Sequence, residues 1–257
     1  MEIEFGTAGL RGLTDAEITE ELCWQVGVAL GKYFGESKTL CLGYDTRPGA
    51  DRLAGICAAA MESTGVTVVN LGVAPSPLVC AMIYKKKYDG GLMVTGSHLP
   101  YDRIGLIPLD SVGAIPPKLE TEKIALLAKE IIAPAHIHGQ LPVEENFTYD
   151  YLEFIQHICG SQLPGKGIKL ALDTAGATGA EFIPRLMNDL GCNVHDLITQ
   201  DLISLPERWN PGRTAWENFP SWYLITMPIS GQRMILIATA CFSWMRPVNQ
   251  SLRTWPR

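Results

Sequence analysis

Short apolar runs alternate with amphipathic stretches from residue 14 to residue 132, and this alternation limits the possible folds more than any other feature. Parallel strands need a crossover of a dozen or more residues, and a helix supplies it. Thr14-Asp15-Ala16-Glu17 has the form of a capping box, and Ile18, Leu22, Val26, Ala29, Leu30 and Tyr33 follow at helical spacing as far as Gly35. Thr39 to Tyr44 is a buried-strand pattern, Arg52 to Ser63 a helix closed by Gly65, and Val66 to Leu71 a second strand. Pro77 to Lys86 repeats the helix, Gly91 to Thr95 the strand, and Leu119 to Ile132 adds one more helix. The expected fold class is α/β: a mixed or parallel sheet with helices on both faces, assembled from right-handed βαβ units.

The 257 residues allow one large domain or two ordinary ones. Ala133 to Pro142, with two prolines and a glycine, has the composition of a linker, so a first α/β/α domain is expected over 1–139. Beyond it Tyr149 to Cys159 reads as a helix and Ile168 to Asp173 as a strand. A loop at Thr174 to Gly179 then opens a helix running to Leu190, and Cys192 to Ile198 reads as the next strand. That order begins a second α/β/α domain, incomplete over 140–219. Residues 220–257 differ in kind. Five of the six tryptophans lie between Trp209 and Trp255, lysine stops at Lys169, and no acidic residue follows Glu217. This tail has neither helical nor strand periodicity. Its longest apolar run, Met234 to Met245, is far short of the roughly 20 residues a membrane helix needs.

A formal net charge of −6, with no basic stripe, offers no attraction to nucleic acid or anionic lipid, and neither is expected as a partner. The start Met1-Glu2-Ile3-Glu4 lacks the basic and apolar segments of a signal peptide. The seven scattered cysteines form no C-x-x-C. Reduced thiols and a cytoplasmic location are the expectation.

Chemistry in α/β folds gathers where strands end. Thr95-Gly96-Ser97-His98-Leu99-Pro100 sets a small nucleophile beside an imidazole on a turn stiffened by Pro100. Gly43-Tyr44-Asp45-Thr46-Arg47 places a carboxylate and a guanidinium at another strand end, where a local ion pair in a surface turn is the plainer reading. Phe5 to Gly12 is glycine-rich without being G-x-G-x-x-G. No strand pattern precedes it, and a flexible loop delivering Arg11 to an anion fits it better than a dinucleotide site. His136 and His138 lack a third ligand and read as a solvated pair, and Lys85-Lys86-Lys87 reads as the exposed, dipole-favoured end of a helix. A serine-hydrolase site is excluded because Ser97 is not in G-x-S-x-G.

Taken together, F-G-T-A-G-L-R-G at 5–12, G-Y-D-T-R at 43–47 and V-T-G-S-H-L-P-Y-D-R-x-G-L at 94–106 resemble the α-D-phosphohexomutases, the phosphoglucomutase/phosphomannomutase group. Lys169 to Asp173, with Gly176, Gly179 and Leu190-Gly191-Cys192, is similar to that family's second domain, so the likeness covers about residues 2 to 219. The resemblance implies reversible phosphoryl transfer between the 1- and 6-positions of a hexose phosphate through a hexose 1,6-bisphosphate. Ser97 would carry the phosphate, Arg11 would approach it, and His98 would accept or donate the sugar hydroxyl proton. Thr7, Asp45, Arg47 and Arg103 would bind substrate or phosphate, and Mg²⁺ would sit on the phosphoserine.

Three departures stand against those matches. Ile104-Gly105-Leu106-Ile107 replaces the family's Asn-Gly-x-Lys, so a lysine near the phosphate is missing. The Asp-x-Asp-x-Asp-Arg metal loop does not occur, and the third and fourth domains would require roughly 450 residues in all. The expectation is a truncated, inactive member that does not hold Mg²⁺ tightly. The alternative is a non-catalytic sugar-phosphate-binding or interaction protein.

A reading-frame shift between about Phe219 and Met227 would account for the tail. When the third base of each codon is joined to the first two of the next, Met227-Pro228 must give GCC, alanine. Met234-Ile235 and Trp244-Met245 must each give GAT, aspartate. With permitted wobble bases, Met227 to Cys241 reads Ala-Asp-Leu-Gly-Ala-Ala-Asn-Asp-Pro-Asp-Cys-Asp-Arg-Val, which contains the missing metal loop. Sequencing the gene is expected to show that frame open beyond the codon for Arg257 into two further α/β domains; a downstream region without it would sink the proposal.

Overall fold

The computed structural model describes residues 3–198, except 8, 98, 160–164, 167, 174–176 and 181, together with the backbone of 234–238. The first unit runs β1 (Leu10–Leu13), α1 (Glu20–Phe34), β2 (Thr39–Tyr44), α2 (Ala50–Glu62), β3 (Thr67–Val73), α3 (Ser76–Lys86), β4 (Gly90–Val94), β5 (Arg103–Leu109) and α4 (Lys118–Lys129). Its sheet has the order β1-β5-β4-β2-β3. Strand β2 pairs in parallel with β3 and β4, whereas β5 runs antiparallel to both β4 and β1. The sheet is therefore mixed.

Successive residues of the inner strands feed opposite faces, as a period of two requires. Leu40, Leu42, Leu92, Val94, Ile104 and Leu106 join the helices α1, α2 and α4 in one apolar cluster. Cys41, Met93, Ile107 and Leu109 join α3 in a second. Burial on both faces explains why β2 and β4 read as continuous apolar runs. Helices α1 and α2 approach closely at Gly27, where a Cβ would stand 2.6 Å from that of Ala60. The cysteines at 23, 41, 57, 80 and 192 are free thiols.

Several boundaries depart from the local pattern. The cap of α1 is Thr19, whose hydroxyl accepts from the Leu22 N–H at 3.2 Å, rather than the Thr14–Glu17 box. Glu17 instead accepts the Leu13 N–H at 2.7 Å, so its carboxylate closes the end of β1. Leu10–Leu13 is itself a strand, not a flexible loop. Four residues containing an arginine and a glycine carry no strand periodicity, and the segment is held by the distant partner β5.

The second unit contains α5 (Thr148–Cys159), β6 (Lys169–Asp173), α6 (Ile183–Asp189) and β7 (Asn193–Ile198), with β8 (Met234–Ala238) beside β6. Its strands have the order β7-β6-β8, and both pairings are parallel. The expectation that the tail lacks a strand is overturned at 234–238. Met-Ile-Leu-Ile-Ala is continuously apolar, which is how a strand of a covered parallel sheet reads. The remainder of the tail lies outside the described residues. Among them no helix is long and apolar enough to cross a membrane.

The linker does not separate two cores. Phe147, Tyr151, Phe182 and Ile183 are buried in the same cluster as Leu78, Met82 and Met93. The basic end of α3 is the expected helix terminus, with Lys86 and Lys87 exposed, and it also pairs with α5: Lys85 reaches Glu153 at 2.6 Å and Lys86 reaches Asp150 at 2.8 Å. Lys86 also lies 5.4 Å from the centre of the Phe147 ring. His136 and His138 are exposed in the linker. Phe147→Ala is expected to cost about 3 to 5 kcal/mol in denaturant unfolding and to lower hydrogen-exchange protection in α3. Unchanged protection in α3 would show that Phe147 contributes nothing to the packing of the first unit.

Candidate active site

Strand order brings the sequence motifs together. Asp45 follows β2 and Thr95 follows the adjacent parallel strand β4, while β5, running back from the same edge, begins at Arg103. The Asp45 N–H donates to the Val94 carbonyl at 3.1 Å, and the Thr95 N–H donates to that of Gly105 at 2.9 Å. The two strand ends are thus laced to each other and to β5.

The Asp45 carboxylate organises the turn that follows. One oxygen accepts the Thr95 hydroxyl at 2.7 Å and the Gly96 N–H at 2.9 Å, and the other accepts the Arg47 N–H at 3.0 Å. The Arg47 Nε lies 3.2 Å from Asp45, and both side chains are only 11% exposed. Thr95 relays the order onward, its hydroxyl oxygen accepting the Ser97 N–H at 2.9 Å. The Leu99 N–H donates to the Gly96 carbonyl and the Arg103 N–H to that of Pro100, which closes the turn.

Ser97 occupies this turn half-buried, with φ +51°. A left-handed conformation at a residue other than glycine costs of order 1 to 3 kcal/mol and persists only where surrounding contacts impose it. Arg11 comes from β1, opposite Gly105 of β5. A Cβ on Gly105 would meet the Arg11 Cγ at 2.8 Å and the Thr95 carbonyl at 3.1 Å, so the arginine stem crosses the strand beside the base of the serine turn. Arg103 is partly exposed, 3.8 Å from Glu17. Thr7 is exposed in the turn before β1, bridged to Gly9. His98 lies outside the described residues. Burial pushes the Tyr44 phenol up, with Glu144 and Asp51 adding to the shift, so this neighbour of Asp45 stays neutral.

Two contributors were not legible in the motifs. Thr95 matters through its hydroxyl, which a strand pattern treats as one more β-branched residue. Glu17 reads locally as part of a cap, and its approach to Arg103 depends on β1 and β5 pairing. Among the described residues no three His, Cys, Asp or Glu side chains gather to hold a metal ion. The Asp45 carboxylate is committed to Thr95, Gly96 and Arg47, so among the described residues it is not a free ligand for a metal ion.

Residues 2–134 match the phosphoglucomutase/phosphomannomutase alpha/beta/alpha domain I, a little over half of the chain. The chain belongs to the phosphoglucomutase/phosphomannomutase family. Within it, a protein of Methanobrevibacter smithii assigned as a phosphoglucosamine mutase is 33% identical over 218 residues, covering 83% of this chain and 47% of that one. The phosphoglucosamine/phosphogalactosamine mutase of Sulfurisphaera tokodaii is 30% identical, covering 75% of this chain and 44% of its own. A crystal structure from Thermus thermophilus, assigned as a phosphomannomutase, superposes with a TM-score of 0.69 at 26% identity, covering 78% of this chain and 46% of that one. This family member spans about half the length of the curated relatives it matches.

Removing the carboxylate from the turn strands three donors at once. Asp45→Ala is expected to cost about 3 kcal/mol in denaturant unfolding, the lower end for breaking a buried ion pair. A cost within about 0.5 kcal/mol, the range of an ordinary surface substitution, would mean that the turn is held by other contacts.

Proposed function

We propose that the chain carries the phosphoserine unit of a phosphohexomutase, in which Ser97 exchanges a phosphoryl group with a hexose 1,6-bisphosphate. The observation that carries this reading is the serine itself. It is held left-handed at the joined ends of two parallel strands, with Arg11 crossing the neighbouring strand. A phosphoryl transfer needs a fixed nucleophile and cationic groups near the equatorial oxygens more than it needs covalent chemistry from the protein.

In the forward half-reaction the Ser97 hydroxyl oxygen bonds to phosphorus as the bond from phosphorus to the sugar oxygen breaks. The serine proton passes to a base, His98 in this reading, and the departing sugar oxygen takes up a proton. The phosphoserine then passes its group to the free hydroxyl of the isomeric hexose monophosphate, the bond from the serine oxygen to phosphorus breaks, and the bisphosphate is regenerated. Arg11 offsets charge on the moving group, with Thr7 and Arg103 at the rim. Relatives named for phosphoglucosamine, phosphogalactosamine and phosphomannose chemistry support a hexose phosphate as the substrate class. The reading places the protein in the cytoplasm.

It also treats this chain as inactive alone. The frame-shifted reading of 220–257 removes the acidic metal loop, and a lost proton-transfer group or clamping lysine would cost a further 10² to 10⁴, roughly, in rate. Purified chain is expected to gain one phosphate, on Ser97, when incubated with glucose 1,6-bisphosphate and weighed by intact mass spectrometry. Ser97→Ala should gain none. No steady conversion of glucose 1-phosphate to the 6-phosphate is expected. Failure of Ser97 to label would remove the phosphoserine reading, and turnover abolished by Ser97→Ala would remove the claim of inactivity.

A further inference from the structure

The family resemblance places Arg47 among the phosphate-binding residues, yet its hydrogen bonds point elsewhere. A guanidinium has five N–H donors. Here Nε faces Asp45 at 3.2 Å. One terminal nitrogen donates to the carbonyls of Arg103, at 2.9 Å, and Pro100. The other donates to those of Ser97 at 2.9 Å and Leu99 at 2.8 Å. The four terminal N–H donors are matched by four backbone carbonyls of the serine turn, and Nε lies at ion-pair distance from Asp45. No terminal N–H remains to receive a substrate phosphate unless one of these bonds is given up.

We infer that Arg47 is the positioning residue of the serine turn: it fixes the Ser97 backbone by gathering four turn carbonyls around one cation and does not itself grip the substrate. Gly96 is shaped for this arrangement. A Cβ there would stand 2.3 Å from the Arg47 Cζ and 2.4 Å from the Arg103 carbonyl, so only a residue without a side chain lets the guanidinium lie against the peptide. The Asp45 oxygen that faces Nε also accepts the Thr95 hydroxyl and the Gly96 N–H, which ties the cation to the start of the turn. Lysine cannot substitute, because an ammonium concentrates three donors at one point and cannot span four carbonyls.

The inference deepens the phosphoserine reading and rests on it only for its kinetic readout. The test compares full-length wild type with Arg47→Lys and Arg47→Ala by amide hydrogen exchange over 95–103 and by Ser97 labelling at varied glucose 1,6-bisphosphate. Both variants are expected to fold and to exchange faster in that turn alone. The maximal labelling rate is expected to fall about 10²-fold, the scale of a misplaced nucleophile, with little change in the half-saturating concentration. Free guanidinium at low millimolar concentration should restore turn protection to Arg47→Ala, which a packing role would not allow. A raised half-saturating concentration at full maximal rate would make Arg47 a substrate ligand and overturn the inference. So would Arg47→Lys behaving as wild type, unchanged exchange in the turn, or unfolding of both variants. If wild type takes up no phosphate, the phosphoserine reading fails, while the exchange and guanidinium rescue still decide the role of Arg47.

Discussion

The ion pair between Asp45 and Arg47 is the constraint on which the rest of the site depends. Two charges this little exposed lose most of their hydration, and such a pair is tolerable only when its remaining donors and acceptors are satisfied. The serine turn supplies those partners. Its amide, its threonine hydroxyl and its carbonyls surround the pair, so the turn cannot relax without leaving a buried charge uncompensated. That coupling is how Ser97 is kept in a conformation it would not adopt alone.

The pair can form only because of the strand order. From β2 the chain crosses to β3 on one flank, and from β3 it returns to β4 on the other. Connections that leave a strand in opposite directions open a crevice at its carboxyl end, the usual place for a ligand in open α/β sheets. The antiparallel β5 then carries Arg103 back to that edge and offers a rail for β1, whose Arg11 would otherwise lie on an unsupported segment. Strand β5 and the edge strand β1 complete the site that β2 and β4 begin.

Family membership and the structure agree on the first unit and bear differently on the second. The matched domain ends at residue 134, but apolar packing continues past it, because Phe147 and Tyr151 of the second unit fill the face of the sheet that α3 leaves incomplete. The lysines of α3 then fix α5 electrostatically. The first unit therefore draws part of its core from residues beyond the linker, and composition, which marks only the solvated connection, cannot register that dependence.

Sequence alone determined the elements whose burial is periodic. β2, β4 and the four helices of the first unit lie within a few residues of where apolar spacing put them, since a strand covered on both faces or a helix covered on one leaves its period in the chain. It also determined the family, because the three motifs survive as contiguous residues. Tertiary structure alone decided what had no local signature. The strand character of Leu10–Leu13 comes from β5, and the service of Lys85 and Lys86 from α5. The choice of Thr19 over Thr14 as a cap follows from Glu17 being occupied with Leu13. Arg47 shows the limit most plainly: proximity in sequence revealed its pairing with Asp45, but the four carbonyls that occupy it lie fifty or more residues away and become neighbours only when β2 and β4 align.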